Sequence, residues 1–152
     1  MRPRRPQVYT TAAAVVAAAA LLGGCASGGT AFTAGASDII GTWKNPKGAA
    51  FSFNSDGTFA AQGVTGALPL PGGCADALSV GRWHLVDLPG PDTGAGVERS
   101  TWLALDPPGR EAAAACGIQA GIRRDSAGIN LCLVIDPDQT CSGDELLRRP
   151  KS

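Results

Sequence analysis

Five cysteines, one histidine and one dense acidic stretch are the residues of this chain whose types could do chemistry. Cys74, Cys116, Cys132 and Cys141 could pair with one another, hold a metal or supply a nucleophile. No two of them stand in Cys-x-x-Cys spacing, and one histidine is too few for a Cys/His zinc set, so no metal site is expected. A serine or cysteine nucleophile needs a histidine as its base. His84 is the only one, it sits between Trp83 and Leu85, and no Gly-x-Ser-x-Gly occurs. It reads as a rim or surface histidine. Paired carboxylates could hydrolyse glycosides, and Asp136, Asp138, Asp144 and Glu145 are the one dense group. They surround a Pro-containing turn, and turn chemistry with solvated charge accounts for them. Their oxygens would suit calcium, but Gly143 falls too late for an EF-hand. The expectation is therefore no catalytic set, no metal and no cofactor.

Aromatic residues are the remaining candidates. Trp43, Phe51, Phe53 and Phe59 could line a pocket for a small apolar ligand, with Trp83 and Trp102 as further aromatic surface. Aromatics make up only 5% of the chain, so use in the core competes with use in a pocket.

The elements that must position these residues begin after a leader. Met1-Arg-Pro-Arg-Arg-Pro is basic, and Thr11 to Leu22 is an Ala/Val/Leu run after its first threonine. A basic start, a short apolar run and small residues at a cleavage point are the parts of a signal peptide, here residues 1–24. The run is shorter than the roughly 20 apolar residues a membrane-crossing helix needs. Leu22-Gly23-Gly24-Cys25 resembles a lipobox, the processing signal of bacterial lipoproteins. That resemblance implies a diacylglyceryl group on Cys25, cleavage after Gly24, and anchoring at the extracytoplasmic face of the cell membrane. Two acyl chains suffice for stable anchoring where one is marginal. Residues 25–37 then read as the lipidated cysteine and a flexible, small-residue tether. Removing Arg2, Arg4 and Arg5 from thirteen basic residues leaves ten against thirteen acidic ones, so the mature chain is mildly acidic. No run of Lys/Arg suggests nucleic acid as a partner.

From Asp38 to Ser152 the sequence reads as a single β domain. Phe51 and Phe53 alternate with polar positions, Ser55-Asp56-Gly57 supplies a tight turn, and Phe59 and Ala61 return on the apolar face, which predicts a hairpin. Ile39 to Trp43 would precede it. Ser79 to Asp87 and Ser100 to Asp106 alternate as strands. Residues 119–125 and 129–135 flank Ser126-Ala127-Gly128 as a second hairpin, and Glu145 to Arg149 closes the chain. Glu111 to Cys116 could form one helical turn, and Pro89 to Gly96 is a loop. About eight short strands in succession suit an all-β fold, a small antiparallel up-and-down barrel. A two-sheet β-sandwich is the alternative.

With Cys25 lipidated, four cysteines remain and allow three pairings. Cys132 and Cys141 flank Asp136-Pro137-Asp138, a turn sequence that favours joining them and leaves Cys74 for Cys116. An exported chain is the setting in which such bonds persist.

Two stretches carry a resemblance. Ile40-Gly-Thr-Trp43 leads into Phe51-x-Phe-Asn-Ser-Asp-Gly-Thr-Phe59, and Cys74 is followed by Gly81-Arg-Trp-His-Leu85. Together they resemble a family of small actinobacterial lipoproteins with Gly-Thr-Trp and Asp-Gly-Thr-Phe segments. The opening Gly-x-Trp is also similar to the lipocalin (calycin) pattern. That likeness implies an eight-stranded barrel with Trp43 plugging one end beneath Arg148 or Arg149. Neither resemblance implies an activity. The expected function is a cell-surface, monomeric binding or interaction module, with a small apolar ligand or an envelope protein as partner. A structural or stress-related envelope protein without a ligand is the alternative. Cys25→Ala should leave uncleaved precursor or release the protein from the membrane; normal cleavage and anchoring on fractionation would refute the lipoprotein reading.

Overall fold

A computed structural model describes residues 29–87, 96–134, 141 and 143–151. Residues 1–24, expected as a signal peptide, Cys25 and the Asp136-Pro137-Asp138 sequence lie outside these residues. In chain order the elements are β1 (Thr30–Ala31), β2 (Ala34–Gly35), α1 (Ala36–Ile39), β3 (Gly41–Lys44), β4 (Ala50–Phe53) and β5 (Thr58–Gln62). Then follow α2 (Cys74–Ala77), β6 (Val80–Val86), β7 (Arg99–Ser100), β8 (Trp102–Asp106) and α3 (Arg110–Cys116). β9 (Ile118–Asp125), β10 (Gly128–Val134) and β11 (Leu146–Arg148) complete the order, with a short 3-10 turn over Gly143–Glu145.

Eight of these strands close a barrel. Antiparallel neighbours run β9-β10-β11-β3-β4-β5-β6-β8, and β8 pairs back onto β9. Apart from the last strand returning to β3, barrel neighbours are consecutive barrel strands in the chain, the up-and-down order. Closure pairs every inner edge, which an open sandwich would leave exposed. Strict alternation supplies the inside. Phe51, Phe53, Phe59 and Ala61 point inward from β4 and β5, while the residues between them are partly or fully exposed. Trp83 and Leu85 from β6, Leu103 and Leu105 from β8, and Ala120 and Ile122 from β9 continue the core.

The β4–β5 hairpin shows how local chemistry sets register. Asp56 Oδ1 accepts from the Thr58 amide at 2.9 Å and its hydroxyl at 2.6 Å, and Gly57 takes a φ of 77°. Positive φ is costly for residues with a Cβ. This turn aligns Phe53 with Phe59 and Phe51 with Ala61. Trp83 holds the tip from the next strand, its amide donating to the Gly57 carbonyl at 2.8 Å and its indole N–H to the Asn54 carbonyl at 3.0 Å.

The structure differs from expectation at the domain's start. Residues 30–37 are built into the fold rather than forming part of a tether. β8 pairs with β9 only as far as Gly121, so the edge of β9 beyond it would be bare. β1 fills that edge, placing Thr30 opposite Arg124 and Ala31 opposite Arg123, and the Phe32 amide donates to the Ile122 carbonyl at 2.8 Å. β2 then pairs with β7 in a separate two-stranded sheet, with Ala34 fully buried. The expected first strand also shortens. Ile39 ends α1, and the strand proper starts at Gly41.

Phe51 and Phe53 carry much of the core, so Phe53→Ala should cost about 3–5 kcal/mol, read by chemical denaturation. A loss under about 1 kcal/mol would mean that the site collapses around the gap or is not packed as described.

Candidate functional site

The four residues expected to line a ligand pocket do not do so. Trp43 and Phe51 are 0% exposed, and Phe53 and Phe59 are 2% exposed. At zero exposure no water-sized space adjoins a side chain, so these rings fill the barrel. Phe51, Phe53 and Phe59 lie 6.1 to 6.3 Å apart centre to centre, and Trp83 meets Phe53 edge-on at 5.8 Å. These are the offset and T-shaped separations that aromatic quadrupoles favour. The physical reason is size. A ring of eight strands leaves an interior just wide enough for side chains, and this one spends it on aromatics.

Chemistry-bearing residues gather instead on the outer wall. Alternation turns Trp83 and Leu85 inward and leaves Arg82 and His84 outward on β6. β8 runs alongside with Asp106 opposite Arg82 and Ala104 opposite His84. The diagonal brings His84 Nδ1 to 3.6 Å from Asp106 Oδ2, an ion pair when the imidazole is protonated. An open cleft of about 560 Å³ lies here, walled by Val80, Arg82, His84, Asp106 and the Pro107-Pro108-Gly109 corner. Gly81 forms its floor. A Cβ there would collide with the Asp106 carbonyl and stand 2.6 Å from the Phe59 ring. The cleft offers a cation, an imidazole and a carboxylate on a rigid sheet. The described residues of its lining include no serine, threonine, cysteine or lysine, and His84 and Asp106 are the pair that could exchange a proton. His84 was legible as an outward residue. Asp106 was not, since only the β6–β8 register places it beside His84.

A second polar region lies at the end where both described termini meet. Trp43 Nε1 donates to the Ile39 carbonyl at 2.7 Å, and the Arg149 guanidinium lies 4.9 Å above the Trp43 ring. Arg149 also donates to the Asp38 and Ile40 carbonyls at 2.8 and 3.0 Å. Of the two arginines expected over this tryptophan, Arg149 is the one in place. Arg148 instead pairs with Asp125 through two bonds of 3.1 and 2.6 Å, and Asn130 donates to the same carboxylate at 3.1 Å. Asp125 therefore lies below the ordinary carboxylate range. The Arg148 hydrogen bond is the main cause, opposed by burial and helped by the Ala127 amide, and the Arg148 pKa rises in step.

The cysteines pair as Cys74–Cys116 and Cys132–Cys141. The first joins α2 to α3; the second, with Leu146 and partly buried Trp102, makes a small apolar cluster outside the barrel. Asp136 and Asp138 lie outside the described residues. Asp144 pairs with Lys47 at 2.7 Å, and Glu145 is buried. Among the described residues no three His, Cys, Asp or Glu side chains come together as a metal set, and no helix is long and apolar enough to cross a membrane. Comparison with protein-family models, curated proteins and solved structures finds no match to this chain.

Because Asp125 titrates lower in the folded chain than unfolded, its stabilisation is present above the unfolded value near 3.9 and is lost as pH falls through the folded one. The pair is partly exposed, so Asp125→Asn should cost only about 1 kcal/mol at pH 7. Melting curves at neutral and strongly acid pH check this: the variant should lose less stability on acidification than the parent, and equal losses would refute the assignment.

Proposed function

We propose that this chain is a lipoprotein processed before Cys25 and anchored by lipid to the extracytoplasmic face of the cell membrane. Its barrel acts there as a monomeric binding or interaction module that works through its outer surface. The observation that carries the second statement is the filled interior. With Trp43 and Phe51 at 0% exposure, no space beside them would hold a small apolar ligand. Recognition then falls to the outer wall, where Arg82, His84 and Asp106 flank a cleft with groups for charged or polar partners. An envelope protein is the partner this favours. The address rests on Leu22-Gly-Gly-Cys25 and the preceding apolar run. Two disulfides suit the same oxidising side of the membrane.

A structural envelope protein without a ligand is the second reading, and the filled barrel favours it equally. Enzymatic activity is not proposed.

Native mass spectrometry of the mature protein, compared with its denatured unreduced mass, separates these readings from ligand carriage. The expected chain holds no non-covalent adduct and is lighter than the reduced form by two hydrogens for each disulfide. A reproducible apolar adduct that leaves on denaturation would sink the outer-surface reading. Crosslinking in the envelope then divides the remaining two: a partner lost with Arg82→Glu supports the interaction module, and no partner at all supports the structural role.

A further inference from the structure

The residues next to Cys25 enter the fold beside the most basic corner of the described chain. Arg123 and Arg124 lie just before the end of β9, Arg148 ends β11, and Arg149 and Lys151 follow it. They are far apart in sequence, but Asn130 of β10 pairs with Arg123 on one side and Arg148 on the other. Half of the ten basic residues of the mature chain thus collect at one end of the barrel. At the corner itself Asp125 and Asp38 are the neighbouring carboxylates, and both are engaged, Asp125 with Arg148 and Asp38 with the Gly35 amide at 2.9 Å; Asp56, across the same end on the β4–β5 turn, is bound to Thr58. Arg124, Arg149 and Lys151 are exposed and Arg123 is partly so. A surface groove of about 380 Å³ runs between the β9–β10 turn and Arg148, Arg149 and Lys151. The whole mature chain is acidic, which makes this concentration of positive charge a local feature.

Chain length fixes what this corner faces. β1 begins at Thr30, opposite Arg124, and Gly29 packs against the Arg124 carbonyl. Three residues lie between Cys25 and Gly29, and a fully extended chain covers about 14 Å over those four Cα–Cα steps. If Cys25 carries lipid, the corner cannot stand far from the headgroups. Charges attract an anionic surface within a Debye length, about 8–10 Å at physiological salt.

From this we infer that the Arg123/Arg124/Arg149/Lys151 corner is a membrane-docking surface for anionic phospholipid headgroups, holding the barrel end-on with the Arg82–His84 wall turned sideways and accessible. The inference rests on the proposed lipid anchor. Arg124 is prepared for the role: its guanidinium stacks 3.7 Å over the Phe32 ring, which fixes the arginine while leaving it exposed.

The test reconstitutes the mature protein into nanodiscs of phosphatidylcholine, or of an equimolar phosphatidylglycerol mixture, and follows backbone hydrogen exchange by mass spectrometry. Residues 123–128 and 148–151 should exchange more slowly on the anionic discs only. That protection should fall about fivefold or more for each charge reversed in Arg124→Glu and Lys151→Glu. It should also vanish near 1 M salt, where screening is about 3 Å, and survive Lys47→Glu at the opposite end. Equal exchange on both discs, or anionic protection at the Arg82–His84 wall instead, would overturn the surface. The intact mass of the same sample reports the lipid separately. A chain without it defeats the anchor, while corner protection on anionic discs alone would still uphold the docking surface and its absence would still overturn it.

Discussion

The barrel depends on its seam. β11 is three residues long, and its register with β3 consists of one pair, Arg148 with Lys44. So short a ladder cannot by itself hold eight strands closed, because each net backbone hydrogen bond contributes only about 1 kcal/mol. The seam is reinforced from inside and from its end. Leu147 and Trp43 are both 0% exposed in the core, and Arg149 stacks on Trp43 while bonding the carbonyls on either side of Ile39. The tail is thereby tied to the turn that starts β3. Remove that tie and β11 and β3 become open edges, with a filled aromatic core exposed between them.

Two ends of the barrel have different tasks. Alternate connections of an up-and-down barrel fall at the same end. α2, α3 and the Cys74–Cys116 bond lie where β5, β6, β8 and β9 are joined, and Asn45 binds the Ala67 and Asp144 carbonyls at 2.9 and 2.8 Å near the same end. In the chain-entropy account, closing a loop of 42 residues limits the unfolded state by about 4 kcal/mol. The β5–β6 and β8–β9 connections lie there and are stapled to each other. The opposite end has the tight turns at Asp56 and Ala127 and both described termini. It is the end that carries the basic corner.

A filled interior moves the functional question outward. Lipocalin-like closure needs a plug at one end and allows a cavity above it, yet here three phenylalanines and Trp83 occupy the axis. Such packing makes a stiff body, and the recognition proposed for it falls to its wall. His84 and Asp106 are held on paired strands rather than loops, so their separation is a property of the sheet.

The sequence by itself determined the period-2 pattern. From that came strand existence, the Asp56-Gly57 hairpin, the apolar face of Phe51, Phe53 and Phe59, the shared face of Trp83 and Leu85, and an all-β barrel of about eight strands. Turn chemistry at Asp136-Pro137-Asp138 also favoured the disulfide pairing that the structure contains. These are local effects, written in neighbouring residues. What only the tertiary structure decided is relational. A small, nearly uncharged stretch at residues 30–35 became two strands, β1 on the edge of β9 that β8 is too short to cover and β2 against β7. Rings suited equally to a pocket or a core became core because eight strands enclose little more than their own side chains. Asp106 reached His84, and Arg123-Arg124 reached Arg148-Arg149, through cross-strand register. Register joins residues far apart in sequence, and no single segment encodes it.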